Sequence, residues 1–231
     1  MKSVRILVEG QAEETFVRDV LAPALWSSEV VVTATQVATK RLKSGGKFKG
    51  GVTSYERVAY DLRQLLRDSS ARLVTTMLDL YRLPRDFPGW GTCPEGPGVS
   101  GAQRASHLEH AFAEDIKEPR FRPYLSVHEF EALIFAGLDS CSSTFPGSVA
   151  ATLARQRQQV QTPEDINEGE QTAPSKRILA AYPGYEKAFH GPYAVGLIGI
   201  NRLRSECPRF AQWLADLERI GSPGIPTDRA R

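Results

Sequence analysis

Cysteine is nearly missing from this chain: Cys93, Cys141 and Cys207 are the three such residues in 231. Their odd number and wide spacing exclude a disulfide framework and a metal-knuckle pattern, so they read as incidental thiols in a reducing cytoplasm. Histidine is also sparse, at four residues. No apolar run approaches the roughly 18–20 consecutive residues that span a bilayer. The run from Val4 is short and is cut by Glu9 and Gln11, unlike a secretory leader. Charge of one sign is not in excess, since the net value is +2. A phosphate-binding P-loop is absent: Ser44-Gly45-Gly46-Lys47 lacks the spacing and does not join a strand to a helix. A nucleophile elbow for Ser/His/Asp or Cys/His chemistry is missing as well, and there is no internal repeat. What remains is 41% hydrophobic and 24% charged, ordinary for a globular protein whose length allows one substantial core with room for a smaller appendage.

The informative pattern is a set of apolar runs that stop at acids. Val4-Arg5-Ile6-Leu7-Val8 runs into Glu9-Gly10, with Glu13 four residues later. Leu73-Val74-Thr75-Thr76-Met77-Leu78 ends in Asp79, and Arg122 to Val127 ends in His128-Glu129-Phe130-Glu131. Val30 to Thr35 is a further β-branched run. Nearly continuous apolar strands are those buried on both faces of a parallel sheet. Helices are predicted over 13–25, from Ser54 with Tyr55, Val58, Ala59, Leu62, Leu65 and Leu66 inward, and over 103–117. The Pro- and Gly-rich segment 83–101 reads as a long loop of the lid or binding type, starting just beyond Asp79.

Beyond residue 137 the β-branched runs stop. Helices are predicted over 147–161, from Thr162, from Ala173, and over 205–219 with Phe210, Trp213, Leu214 and Leu217 inward. The expectation is an α/β core over 1–137, a mostly parallel sheet flanked by helices. A mainly helical C-terminal extension over 138–231 would pack on it.

An acid that ends a buried strand costs desolvation unless it has a partner or a cation, which singles out Glu9 and Asp79. Gly10 is expected to permit a tight turn. Glu13 lies in the first turn of a helix, where a carboxylate also fits ordinary helix electrostatics. Glu129 and Glu131 share one side if the chain is extended there, and diverge if a helix has begun. Leu133-Ile134-Phe135 reads as helix core and favours divergence. His128 reads as a ligand, a general base or a structural residue. Acids without cysteine and with little histidine suit Mg²⁺ or Mn²⁺, held through oxygen and keeping water sites for a substrate phosphate. Lys176, between Ser175 and Arg177 at a helix start, is the candidate phosphate contact, and reads equally as a cap or surface charge. Lys40, Arg41, Lys43, Lys47 and Lys49, threaded by glycines, form a basic stretch that suits a phosphate backbone or simply a solvated loop.

Glu9-Gly10 after a strand, with an Asp ending a later strand, resembles the Toprim domain of primases, topoisomerases and overcoming-lysogenization-defect (OLD) nucleases. Val8-Glu9-Gly10-Gln11-Ala12-Glu13 is similar to the Glu-Gly-x-x-Glu form of the last group. The fuller pattern resembles the Toprim-like domain-of-unknown-function family 4276. It rests on Thr75 to Tyr81, Asp86-Phe87-Pro88-Gly89, His128 to Leu133, Ala173-Pro174-Ser175-Lys176-Arg177 and Pro183-Gly184-Tyr185. The resemblance implies a Rossmann-like Toprim fold and catalysis by the first Glu and an Asp-x-Asp pair. Tyr81 replaces the second Asp, so Glu13, Glu129 or Glu131 would have to complete the site. It also implies an ABC-type ATPase partner in an anti-phage system.

The leading expectation is a divalent-metal-dependent nuclease acting on nucleic acid, DNA first. Glu9, Asp79 and Glu131 would hold the cation, with Glu13 and Glu129 as auxiliary ligands or a water-orienting base. Lys176 would contact the scissile phosphate, while Lys43, Lys47, Lys49 and Arg177 would bind the backbone. The competing class is a non-catalytic module that binds an ATPase or nucleic acid. A small-molecule phosphotransferase is a third class and would need a compact pocket. A homo-oligomer is open to all of them.

Overall fold

The computed structural model describes residues 1–38, 52, 54–81, 83–167, 169 and 171–221. The basic stretch with Lys43, Lys47 and Lys49 lies outside the described residues. The chain opens on strand β1 (Lys2–Val8) and a helical run made of α1 (Gln11–Phe16), a π turn (Val17–Leu21) and α2 (Ala22–Leu25). Pro23 is the cause we assign to the π turn: proline has no N–H to donate and crowds the carbonyl four residues back, and one wider turn relieves both. Then come β2 (Val30–Gln36), α3 (Tyr55–Leu66), β3 (Ala71–Asp79) and α4 (Gly101–Ile116). Two short strands, β4 (Phe121–Arg122) and β5 (Leu125–Ser126), finish the sheet.

All pairings are parallel, in the order β2-β1-β3-β4, with β5 also on β3. The predicted single strand over 122–127 is thus two pieces, and Pro123 sits in the break. Thr76 of β3 fills it, donating its hydroxyl to the Tyr124 carbonyl and accepting from the Tyr124 N–H, both at 2.9 Å. The side-chain alternation of a strand sorts the core into two faces. Val4, Ile6, Val8, Leu73 and Met77 face one cluster, and Leu7, Val74 and Leu78 face the other.

The second face is covered by α3 and α4. There the Pro- and Gly-rich segment is pinned down. Asp86 accepts the Tyr55 N–H at the start of α3, and Phe87 packs edge-on against Tyr55 and Phe112. Gly89 has φ of +77°, and a Cβ there would stand 2.6 Å from that of Ala111, so the Asp86 to Gly89 string is explained as an anchor. The first face is covered by α1 and by the C-terminal helices α5 (Gly147–Arg157), α6 (Pro174–Ala181), α7 (Lys187–Ile198), α8 (Ile200–Glu206) and α9 (Pro208–Gly221). Phe16 of α1 meets Phe130 and Phe210 edge-on, at 5.6 and 6.0 Å between centroids. Trp213 stacks on Tyr124 and donates its indole N–H to Thr75. Among the described residues, no helix is long and apolar enough to cross a membrane. The architecture is the expected α/β one, a parallel sheet flanked by helices with a mostly helical C-terminal part.

Candidate functional site

Parallel strands all deliver their carboxyl ends to one edge, and side chains just past those ends meet there. Glu9 follows β1, Asp79 is the last residue of β3, and Glu129 and Glu131 follow β5. The backbone wires the edge together. The Asp79 N–H donates to Glu9 Oε2 at 3.1 Å, and the Phe130 N–H donates to Asp79 Oδ1 at 2.8 Å. The Gly10 N–H donates to Glu13 Oε2 at 3.0 Å, turning the Glu13 carboxylate back toward the strand end. Gly10 itself is extended (φ −158°), so the expected tight turn there does not use glycine's freedom.

The pair at 129 and 131 departs from the sequence expectation. A 3₁₀ turn begins at Phe130 and runs to Ala136, yet Glu129 before it is extended (φ −142°). Because the turn starts between them, both carboxylates stay near β3: Asp79, Glu129 and Glu131 each offer an oxygen within 4.8 Å of the others. Ser175, at the start of α6, fixes Glu129 with its N–H at 2.8 Å and its hydroxyl at 3.0 Å. Tyr185 donates its hydroxyl to Glu131 at 3.4 Å. Tyr81 stands where the resemblance expects an Asp, and its N–H donates to the His128 carbonyl at 2.8 Å.

The cation set among these acids is Lys187, the first residue of α7. Its Nζ lies 3.2 Å from Asp79 Oδ2, 3.1 Å from Glu131 Oε2 and 3.9 Å from Glu13 Oε1. Sequence reading missed it and favoured Lys176, which is half-buried on α6 beside Ser175. The signal lay close by, since the matched string Pro183-Gly184-Tyr185 stops two residues short of Lys187. Arg177, expected at a nucleic-acid backbone, donates to the Thr172 carbonyl and to Asn167. His128 is buried, with its ring where a Cβ on Gly101 would stand, 2.5 Å away. Burial and the Arg104 charge depress its pKa to about 4, so it is neutral at pH 7.

The electrostatics follow from burial. Glu131 is 0% and Glu13 1% exposed. Burial and the Asp79 charge raise the Glu13 carboxyl to about 7, against the pull of Lys187. Burial raises Glu131 to about 8, where the opposing pull of Lys187 is offset by repulsion from Asp79 and Glu129. Glu9 is raised well above the usual carboxylate range, and Glu129 is raised too, each first by burial and then by the Asp79 charge. Burial disfavours the Lys187 ammonium, but Asp79, Glu131, Glu13 and Glu9 outweigh it and hold its pKa well above the ordinary value. Glu9, Glu13, Asp79, Glu129 and Glu131 thus crowd around one ammonium. Glu13 Oε1 and Glu131 Oε2 are buried without a hydrogen-bond partner among the described residues. The donor set is all oxygen and short of positive charge.

No curated protein matches the chain. Among solved structures it is similar to the C-terminal region of the OLD protein of Xanthomonas campestris pv. campestris, with 17% identity over 94% of this chain and 96% of that chain, and a TM-score of 0.35. A family model described as a domain of unknown function (DUF4276) matches residues 8–218, a span that takes in every one of these carboxylates and Lys187, and the chain belongs to that family.

Proposed function

We propose that this chain is a divalent-metal-dependent nuclease that hydrolyses nucleic-acid phosphodiester bonds. The observation that carries the reading is the excess of buried carboxylate over buried ammonium at the sheet edge. Buried acids without matching positive charge are costly, and Asp79, Glu129 and Glu131 each offer an oxygen within 4.8 Å of the others, an arrangement suited to a hard cation. Mg²⁺ or Mn²⁺ fits an all-oxygen donor set. Asp79, Glu129 and Glu131 would hold it, with Glu9 and Glu13 completing the site. When bound, such an ion supplies charge neutralisation at the phosphate and activation of water.

The chain's own residues do the rest. Ser175 and Tyr185 orient Glu129 and Glu131, and backbone N–H groups orient Glu9, Glu13 and Asp79. Glu13 Oε1 has no hydrogen-bond partner among the described residues. That leaves it open to take a proton from the attacking water as the water oxygen bonds to phosphorus and the bond to the leaving oxygen breaks, the leaving oxygen taking up a proton from solvent. The Toprim resemblance supports DNA as substrate and an ABC-type ATPase partner in anti-phage defence.

Mg²⁺ or Mn²⁺ should support cleavage of DNA by the wild-type chain, and Glu9→Gln or Asp79→Asn should abolish it while the fold survives. Undiminished cutting by a well-folded Glu9→Gln, Asp79→Asn double variant would sink the assignment. One observation favours a second reading, a non-catalytic module that binds an ATPase or nucleic acid: Tyr81 removes a carboxylate, and Lys187 already balances part of the charge. That reading predicts no divalent-ion binding by calorimetry and no cleavage with the partner present.

A further inference from the structure

The geometry points to Lys187 as an exchangeable cation: its ammonium occupies the carboxylate cluster without metal and has to leave when a divalent ion is held there. The inference rests on the metal reading above and adds a competitor to it. Asp79 Oδ2 and Glu131 Oε2 are within 3.2 Å of Nζ, and both residues belong to the three-carboxylate group. Oxygen ligands approach Mg²⁺ to about 2.0–2.1 Å. An ion that bridged these two oxygens at that range would stand between them, where the ammonium now is.

Three features suit Lys187 to leaving. Its ammonium makes one hydrogen bond to these acids, to Asp79 Oδ2. Its contacts with Glu131 and Glu13 are ion pairs without that alignment, and Glu13 Oε1 and Glu131 Oε2 have no hydrogen-bond partner among the described residues. Its side chain is 42% exposed although its partners are buried, so the stem has solvent to swing into. Finally, Lys187 is the first residue of α7, where the helix dipole disfavours a positive charge. Its place is explained by the acids and not by the helix.

The test is calorimetric titration of Mn²⁺ into the metal-stripped full chain. Lys187→Met should bind Mn²⁺ about tenfold tighter than wild type or better, because the ion no longer waits for a minor open state. Lys187→Arg, which keeps the charge, should bind no tighter than wild type. A second measurement uses the native chain. Acetylation of lysine amines, mapped by peptide mass spectrometry, should find Lys187 protected without metal and reactive in saturating Mn²⁺. Equal or weaker binding by Lys187→Met overturns the exchange, as does Lys187 acetylation that ignores the ion. Should Lys187→Met fail to fold, the acetylation result decides alone. Failure of wild type and variant alike to bind the ion overturns the metal reading itself, which separates the two failures.

Discussion

The Glu13 and Glu131 carboxyls are the residues whose burial has the plainest measurable consequence. In the folded chain they titrate at about 7 and about 8, against 4.5 when unperturbed. Between 4.5 and those values the folded chain holds more protons than the unfolded one, so stability falls as pH rises. His128 has the opposite sign: its depressed pKa makes stability rise with pH between about 4 and 6.5. The raised Lys187 pKa contributes stability that persists up to its ordinary 10.5 and is lost only above it. The diagnostic window is therefore above His128's range. In chelator, the thermal midpoint should drop between pH 6.5 and 8; a level or rising midpoint would contradict the buried-acid electrostatics. Ser175 gives a second prediction at this scale. Ser175→Ala releases the hydroxyl that holds Glu129, and loss of such ligand support costs about 10–100-fold in metal affinity. Unchanged Mn²⁺ affinity would remove Glu129 from the ligand set.

Legibility differed sharply between such residues. Glu9 and Asp79 could be found because each closes an apolar run. Glu129 and Glu131 were visible as acids, but their convergence depends on a turn that starts between them. Lys187 was hidden because its helix was not read.

At the level of elements, that omission has a chemical cause. α7 carries Gly191, Pro192 and Gly196, and proline and glycine inside a helical pattern normally mark its end. Packing overrides the local signal here. Gly191 lies against the site, and a Cβ on it would come within 3.0 Å of the Tyr185 hydroxyl and 3.4 Å of the Phe130 ring. The residue that obscures the helix in the sequence is the one that lets it approach Glu131's partner. Pro123 likewise split a strand that reads as continuous. The repair by Thr76 is testable. Thr76→Val keeps the shape but leaves the Tyr124 N–H and carbonyl without that hydroxyl. A buried polar group so stranded costs about 1–3 kcal/mol. Urea denaturation should report a loss of that size with an unchanged slope; a neutral substitution would mean that the hydroxyl does not bridge the break.

For the molecule as a whole, the question is whether residues 1–137 can stand without the helical part. The sequence divides there because the β-branched runs stop, and a change of composition is all that a sequence can show. The packing argues that the parts depend on each other. Val4, Ile6, Val8, Phe16, Leu21 and Phe130 share one hydrophobic cluster with Leu153, Ile178, Val195, Phe210, Leu214 and Leu217. Removing the second set uncovers the part of that face and of α1 that the C-terminal helices now bury, and a half-covered parallel sheet is not a stable arrangement. It also removes Lys187, Ser175 and Tyr185, leaving the buried acids without their cation and their hydroxyls. A fragment ending at residue 137 should therefore melt without a cooperative transition and bind a hydrophobic dye. In the full chain, Phe210→Ala should cost about 3–5 kcal/mol, because the ring touches Phe16 across the boundary. A fragment that unfolds cooperatively, together with a Phe210→Ala loss under 1 kcal/mol, against the ~3–5 kcal/mol expected of a buried Phe, would show two independent units. The acids of the sheet edge would then have to be stable without the helices that now hold them.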